Sequence, residues 1–335
     1  MALSPLAIQA GLVMPGASAY ALAAASLTPV VTLPYEPLAT YDWVFGTDYA
    51  DLSDLVAGAK LQQNVGLSIT AGGAGYEASG PLAFSGGGAT AQATGIWFAT
   101  GGAITGAYLT SPGAGYTSAP AVAAVSSAGT GATITAALGG TGALGTSSIV
   151  LPATVKTGLI TPATETADQT VCAVVRVNKS APSSNAGILF GTLFNGTLPG
   201  GVSPGSGLFL QGATAGVPGY CATTRPGSAA AVSAPAGVAD GAFAFVAMSE
   251  AAGGGRIVYW GGPASTTYTA TQAKTMLAAP PKIGLGQVYY NQTGYAQEIA
   301  ELIYIPRSTT VADLDAIYAR SKARMAARPS PIAVY

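Results

Sequence analysis

Between Lys60 and Lys156 the chain carries a single charged side chain, Glu77. Gly, Ala, Ser and Thr fill the interval, in short alternating runs separated by glycine clusters. That mixture suits many short strands joined by tight turns. The glycines follow no three-residue period, which excludes a collagen-like chain. Scarcity of charge extends to the whole sequence, with 13 Lys+Arg and 14 Asp+Glu in 335 residues, or 8%, against roughly 25% in an ordinary soluble domain. At 49% apolar the chain is too hydrophobic for disorder. A net charge of −1 offers no electrostatic footprint for DNA or RNA. With no histidine and two cysteines, most zinc sites and every Ser-His-Asp or Cys-His mechanism are excluded. No cofactor is expected. Cys172 and Cys221 read as reduced, buried small residues.

Residues 1 to 35 contain no charged side chain. Pro5, Pro15, Pro29 and Pro34 cut them into pieces shorter than the roughly 20-residue span a bilayer needs. No basic region of the kind a signal peptide carries is present. Neither membrane insertion nor a targeting signal is expected. The stretch also lacks a helical period. It reads as an extended apolar assembly arm, residues 1–40, lying on another subunit or on the chain's own sandwich. So few charges protect a free monomer poorly against association. Much of the surface is therefore expected to be covered in an assembly.

The middle of the chain contains an internal repeat. Gly72-Gly73-Ala74-Gly75-Tyr76 returns forty residues later as Pro112-Gly113-Ala114-Gly115-Tyr116. Each copy runs on to a proline (Pro81, Pro120), then to a cluster of small residues (Gly86-Gly87-Gly88, Ala128-Gly129), then to small-residue alternation. Gly101-Gly102 reads as a hairpin turn between Ile96-Trp97-Phe98 and Ile104 to Leu109. Two copies of this size predict two small β units packed together rather than a solenoid, which needs three or more.

The second half reads as strands: Gln169 to Val177, Gly187 to Phe194, Gly207 to Gln211, Phe243 to Ser249, Arg256 to Trp260, Lys282 to Gln287 and Ala296 to Ile305. Strands at this spacing, with glycine turns and no helices between them, predict an antiparallel sandwich. One helix closes the chain. Thr310 is its expected N-cap, with Asp313 as capping partner. Leu314, Ile317, Tyr318, Ser321 and Met325 share a face. Arg320, Lys322, Arg324 and Arg328 crowd the last turns, where they complement the helix dipole. The fold class is all-β, a jelly-roll sandwich with an inserted Gly-rich lobe and one C-terminal helix. The expected boundaries are 41–66 and 141–307 for the sandwich, 67–140 for the repeats, 308–328 for the helix and 329–335 for a tail.

Two resemblances accompany this reading. Gly113-Ala114-Gly115-Tyr116-Thr117-Ser118-Ala119-Pro120 resembles the Gly-x-Gly-Tyr repeats of bacteriophage tail and fibre proteins. The first copy departs from that pattern, with Glu77 and Ala78 after its tyrosine. Lys282 to Gly286, the segment Gly294 to Tyr304 and the helix after it resemble the C-terminal signature of concanavalin A-like, laminin-G-like jelly rolls. Tyr41-Asp42-Trp43-Val44-Phe45 is similar to that family's opening strand. The second resemblance implies a lectin-like sandwich, and the first a component of a phage particle.

Few residues offer chemistry. Glu298 and Glu301 are three apart, which on a regular strand places them on opposite faces. A retaining glycosidase instead needs its carboxyls about 5 to 5.5 Å apart. No catalytic residue is therefore expected. Asp48, Asp51 and Asp54 match no calcium loop, and Asp54 suits a turn or cap. No metal site is expected. Tyr76 and Tyr116 read as repeat core, with sugar stacking as the alternative. Trp43, Trp97 and Trp260 are further aromatic candidates. Tyr289, Tyr290, Asn291, Gln292 and Tyr295 form the expected ligand-binding loop, in which rings cover a sugar's C–H face and amides bind its hydroxyls. A tyrosine-rich subunit interface has the same composition.

Two functions compete. One is a structural virion protein of a tailed bacteriophage, in tail, fibre or capsid decoration, whose partners are other virion proteins and copies of itself. The other is a carbohydrate-binding adhesin that meets a host surface glycan. A glycoside hydrolase is the weakest reading.

Overall fold

Short apolar runs between glycine turns form the strands of the described residues, and most of these pair antiparallel in two large sheets. The computed structural model describes residues 35–48, 52–180, 187–192, 205–212, 221–225, 230–263, 265–271, 276–277, 279–289 and 294–335. Most of the expected N-terminal arm, and Tyr290, Asn291 and Gln292 of the expected loop, lie outside the described residues.

The eight-stranded sheet comprises β1 (Tyr41–Val44), β9 (Ala143–Leu144), β10 (Ile149–Leu151), β12 (Gln169–Arg176), β17 (Phe243–Glu250), β18 (Gly255–Trp260), β19 (Thr266–Thr271) and β21 (Gln297–Ile305). Its order is β19-β18-β17-β12-β21-β10-β9, with β1 also paired to β21. The seven-stranded sheet comprises β2 (Gln62–Gln63), β11 (Leu159–Thr164), β13 (Gly187–Gly191), β14 (Gly207–Gln211), β15 (Cys221–Arg225), β16 (Ala230–Ser233) and β20 (Lys282–Leu285), in the order β16-β15-β14-β13-β20-β11-β2. Trp43, Phe45, Val171, Val246, Trp260, Leu285 and Leu302 belong to one buried cluster drawn from both sheets. The molecule is an all-β antiparallel sandwich with a single C-terminal helix among the described residues.

The repeat block forms β3 (Val65–Ala74), β4 (Ser79–Ser85), β5 (Thr94–Thr100), β6 (Ala103–Ser111), β7 (Ala121–Ala124) and β8 (Thr130–Leu138). The expected turn joins β5 to β6, with Gly101 and Gly102 at φ of 62° and 78°. The copies are not two separate units, however. The first strand of each pairs with the last of the other, β3 with β8 and β6 with β5, and the middle strands β4 and β7 pair together. The tyrosines exchange as well. A Cβ on Gly129 would lie 2.3 Å from the Tyr76 ring, and one on Gly87 would lie 2.7 Å from the Tyr116 ring. Each ring thus covers the glycine cluster of the other copy. Tyr116 Oη accepts from Ala93 N at 2.7 Å, and Tyr76 Oη accepts from Ala132 N at 3.3 Å. Interlocking buries more apolar surface than two forty-residue units manage alone. The lobe's core also takes in Ile160 and Val288 of the sandwich, so the lobe is continuous with it.

Helix α1 (Val311–Ala327) begins at Thr310, whose hydroxyl accepts from Asp313 N while Asp313 Oδ2 accepts from Thr310 N at 3.0 Å. It buries Leu314, Ile317, Ser321, Arg324 and Met325. Two of the arginines in the last turns point inward. Arg324 is 2% exposed and donates to Glu301 at 2.7 Å. Arg328, fully buried at its side chain, donates to Phe45 O at 2.7 Å and pairs with Asp48.

A bulge in β21 makes that docking possible. Val174 stands opposite Glu301 and Val175 opposite Ile299, leaving Ala300 as the extra residue. Ile299 and Leu302 therefore both face the core, and Glu298 and Glu301 both face outward. The opposite-face expectation for this pair is thus corrected, because it assumed an unbroken period of two. The shared face leaves neither carboxylate open. Ser321 and Arg324 hold Glu301, and Arg176 at 2.5 Å with Ser148 at 2.6 Å holds Glu298.

Candidate functional site

The repeat lobe and the sandwich meet at a cleft of about 310 Å³. Strands β3 and β6 supply one wall, and three sandwich loops supply Asn64, Lys156, Val288 and Tyr289. Lys156 is the unusual member. It lies in the loop between β10 and β11 at φ 58°, a left-handed conformation that costs a non-glycine residue on the order of 1–2 kcal/mol. Two neighbours hold it there. Asn64 Nδ2 donates to Lys156 O at 2.7 Å. Gly66 leaves room for the lysine stem, since a Cβ at that position would lie 2.8 Å from Lys156 Cβ.

The lysine stem then runs along β3, and Nζ donates to Leu67 O and, at 2.9 Å, to Ser68 Oγ. Burial lowers its pKa from the ordinary lysine value. Among the described residues no carboxylate lines the cleft or pairs with this ammonium.

Two tyrosine rings complete the lining. Tyr108 donates its hydroxyl to Ala279 O at 2.9 Å, and burial pushes its pKa up to about 12. Tyr289 donates to Lys282 O at 2.6 Å, and burial, then the charge of Glu165, raises its phenol. Both hydroxyls are committed to backbone carbonyls, which fixes the rings. The cleft therefore sets two tyrosines, Tyr108 at 6% exposure and the half-buried Tyr289, beside a hydroxyl, an amide and one cation.

Two of the expected loop residues, Tyr289 and Tyr295, are among the described residues. Tyr289 lines the cleft, whereas Tyr295 packs against the main sandwich core. The three tryptophans are each 0% exposed and cannot stack on a ligand. Trp43 stacks on Tyr41 at 5.2 Å, Trp97 meets Tyr76 edge-on at 5.2 Å, and Trp260 Nε1 donates to Val232 O at 3.0 Å. Asp54 organises a turn, accepting from Val56 N at 2.7 Å and Ala59 N at 2.9 Å. Cys172 is a buried free thiol. Lys156, Tyr108 and Asn64 were missed by sequence reasoning. A lone lysine ending a 95-residue interval with one charge was the available signal for the first.

A second, more open groove of about 360 Å³ runs past Arg176, Asp240 and Glu298. Burial works against the Glu298 charge, but hydrogen bonds from Arg176 and Ser148 outweigh it and hold the carboxyl below its ordinary range. Among the described residues no group of three or more Cys, Asp or Glu is placed to hold a metal ion, and no helix is long and apolar enough to cross a membrane.

No family model and no curated protein matches the chain. Among solved structures, the fourth domain of an extracellular arabinanase from Geobacillus stearothermophilus, in complex with arabinotriose, is similar over 84% of this chain and 98% of that one, at 12% identity and a TM-score of 0.39. A Trypanosoma rangeli sialidase in complex with sialic acid is similar over 56% of this chain and 30% of that one, at 11% identity and a TM-score of 0.38. The NanB sialidase of Streptococcus pneumoniae is similar over 45% of this chain and 24% of that one, at 15% identity and a TM-score of 0.32. The chain spans under a third of each sialidase's length.

Proposed function

We propose that this chain is a non-enzymatic, multi-copy structural protein of a bacteriophage virion, and that it holds a saccharide in the cleft between lobe and sandwich. The observation that carries the saccharide reading is the cleft itself, where two fixed tyrosine rings adjoin amide and hydroxyl groups without a carboxylate among the described lining residues. Rings suit the C–H face of a sugar and polar side chains suit its hydroxyls. Glycoside cleavage ordinarily uses a pair of carboxyl groups, and the described lining residues include none.

The virion reading is supported by the tail-type repeat and by where the charges go. Nine of the 27 charged side chains are buried among the described residues, so an already charge-poor chain has even less charge outside. Such an exterior suits close packing against many neighbours. Two rings support weak, millimolar-class binding, which many copies on one particle would strengthen.

Saturation-transfer NMR with mixed plant and bacterial oligosaccharides tests the cleft. Contacts that vanish in Tyr108→Ala, with the fold retained, support it. Contacts unchanged in that variant remove the cleft as the site. Mass spectrometry of purified particles tests the location, since absence of the chain from every particle fraction overturns the virion assignment.

A further inference from the structure

The cleft's single cation narrows what it takes. Lys156 is half-buried, stands at a left-handed backbone position and, among the described residues, makes no ion pair. Its ammonium has three N–H donors, and the protein accepts two of them, at Leu67 O and Ser68 Oγ. Half-buried Lys282, like Lys156, donates to neutral oxygens among the described residues, Pro162 O at 2.8 Å and Thr164 Oγ1 at 2.7 Å, whereas the fully buried arginines are matched by carboxylates. Arg324 faces Glu301, Arg328 faces Asp48 and Arg256 faces Glu250. Lys156 differs in lining the cleft with one N–H that the described residues do not take up, where an anion from outside can meet it. Strain held at a polar site of this kind points to a ligand contact.

We infer that the cleft binds a carboxylate-bearing saccharide, with Lys156 donating its third N–H to the carboxylate and Tyr108 and Tyr289 flanking the ring. The inference rests on the cleft's being the saccharide site. A cavity of about 310 Å³ lies at the small end of ligand pockets, so one or two acidic sugar units fill it. Neutral sugars would keep the ring contacts and lose the charge-assisted bond.

The test compares D-glucuronic acid, its methyl ester and D-glucose by NMR titration of the intact protein, with N-acetylneuraminic acid run in parallel. Glucuronic acid binding at least tenfold tighter than its ester, with the gap narrowing in salt, is the expected result. In Lys156→Gln the acid should fall to the affinity of the ester while the ester itself is unchanged, and Lys156→Arg should keep the preference. Whichever of the two acids binds more tightly identifies a uronic or a keto-acid sugar as the source of the carboxylate. Equal binding of acid and ester by the unmodified protein overturns the charge assignment and leaves the cleft intact. Failure of every sugar, acidic or neutral, to perturb cleft signals removes both readings. The comparison of acid with ester needs no variant to fold.

Discussion

Replacing Asp42 with asparagine should stabilise the protein at alkaline pH and change little in acid. Three fully buried carboxylates, Glu36, Asp42 and Glu301, share a site under α1 with Arg324, which is 2% exposed, and Arg320 at its edge. Three negative groups against two guanidiniums leave one charge uncompensated. Protonating Asp42 restores the balance. Its geometry agrees, because Oδ2 accepts from Glu36 N at 2.7 Å whereas Oδ1 accepts no hydrogen bond. Burial first, and the Glu301 charge second, push its carboxyl up to about 8 against the pull of Arg324. Cys172, the other titratable group facing the site, is held well above its ordinary value by burial and stays a thiol.

The native state thus keeps a proton on Asp42 that the unfolded chain gives up near pH 4, so stability falls as pH rises from about 4 to 8. Each pH unit in that window costs at most about 1.4 kcal/mol, so the loss across it is on the order of several kcal/mol. Asparagine mimics the neutral, protonated form, with its amide oxygen accepting from Glu36 N. Urea denaturation followed by tryptophan fluorescence, at pH 5.0 and 8.5, measures the effect. The wild type should lose several kcal/mol between the two, and the variant should not. An Asp42→Asn protein destabilised equally at both pH values would show that Asp42 is ionised in the fold, and the charge balance described above would be wrong.

Two further outcomes follow from the packing. Arg324→Ala leaves Glu301 without its main counter-charge, Glu36 keeping Arg320, and should cost about 3–5 kcal/mol in urea denaturation; a loss below 1 kcal/mol would mean that the helix is held by apolar contacts alone. Gly129→Ala forces a methyl into the Tyr76 ring and should cost about 1–3 kcal/mol, seen as faster amide exchange in β3 and β8, whereas Gly253→Ala, with nothing within 4 Å, should be silent.

Short-range chemistry in the sequence was enough to place most of the elements. Alternating and β-branched runs marked the strands, Gly101-Gly102 marked a turn that needs positive φ, and Thr310 with Asp313 marked where the helix starts. Those signals act over a few residues, so they can be read without knowing the fold. What the tertiary structure alone decided lies at long range. Glu36 meets Arg320 across 284 positions, Arg328 meets Asp48 across 280 and Lys156 meets Ser68 across 88. Nothing local distinguishes an arginine that will neutralise a buried carboxylate from one that will face solvent at a helix end. The bulge at Ala300 is of the same kind. Val174 and Val175 must pair across it before Glu298 and Glu301 can share a face, and that pairing belongs to β12 as much as to β21. The repeat was legible as two copies, but which strand pairs with which was not. Interlocking them covers both glycine clusters with the other copy's tyrosine, a gain that exists only once the two copies are folded together.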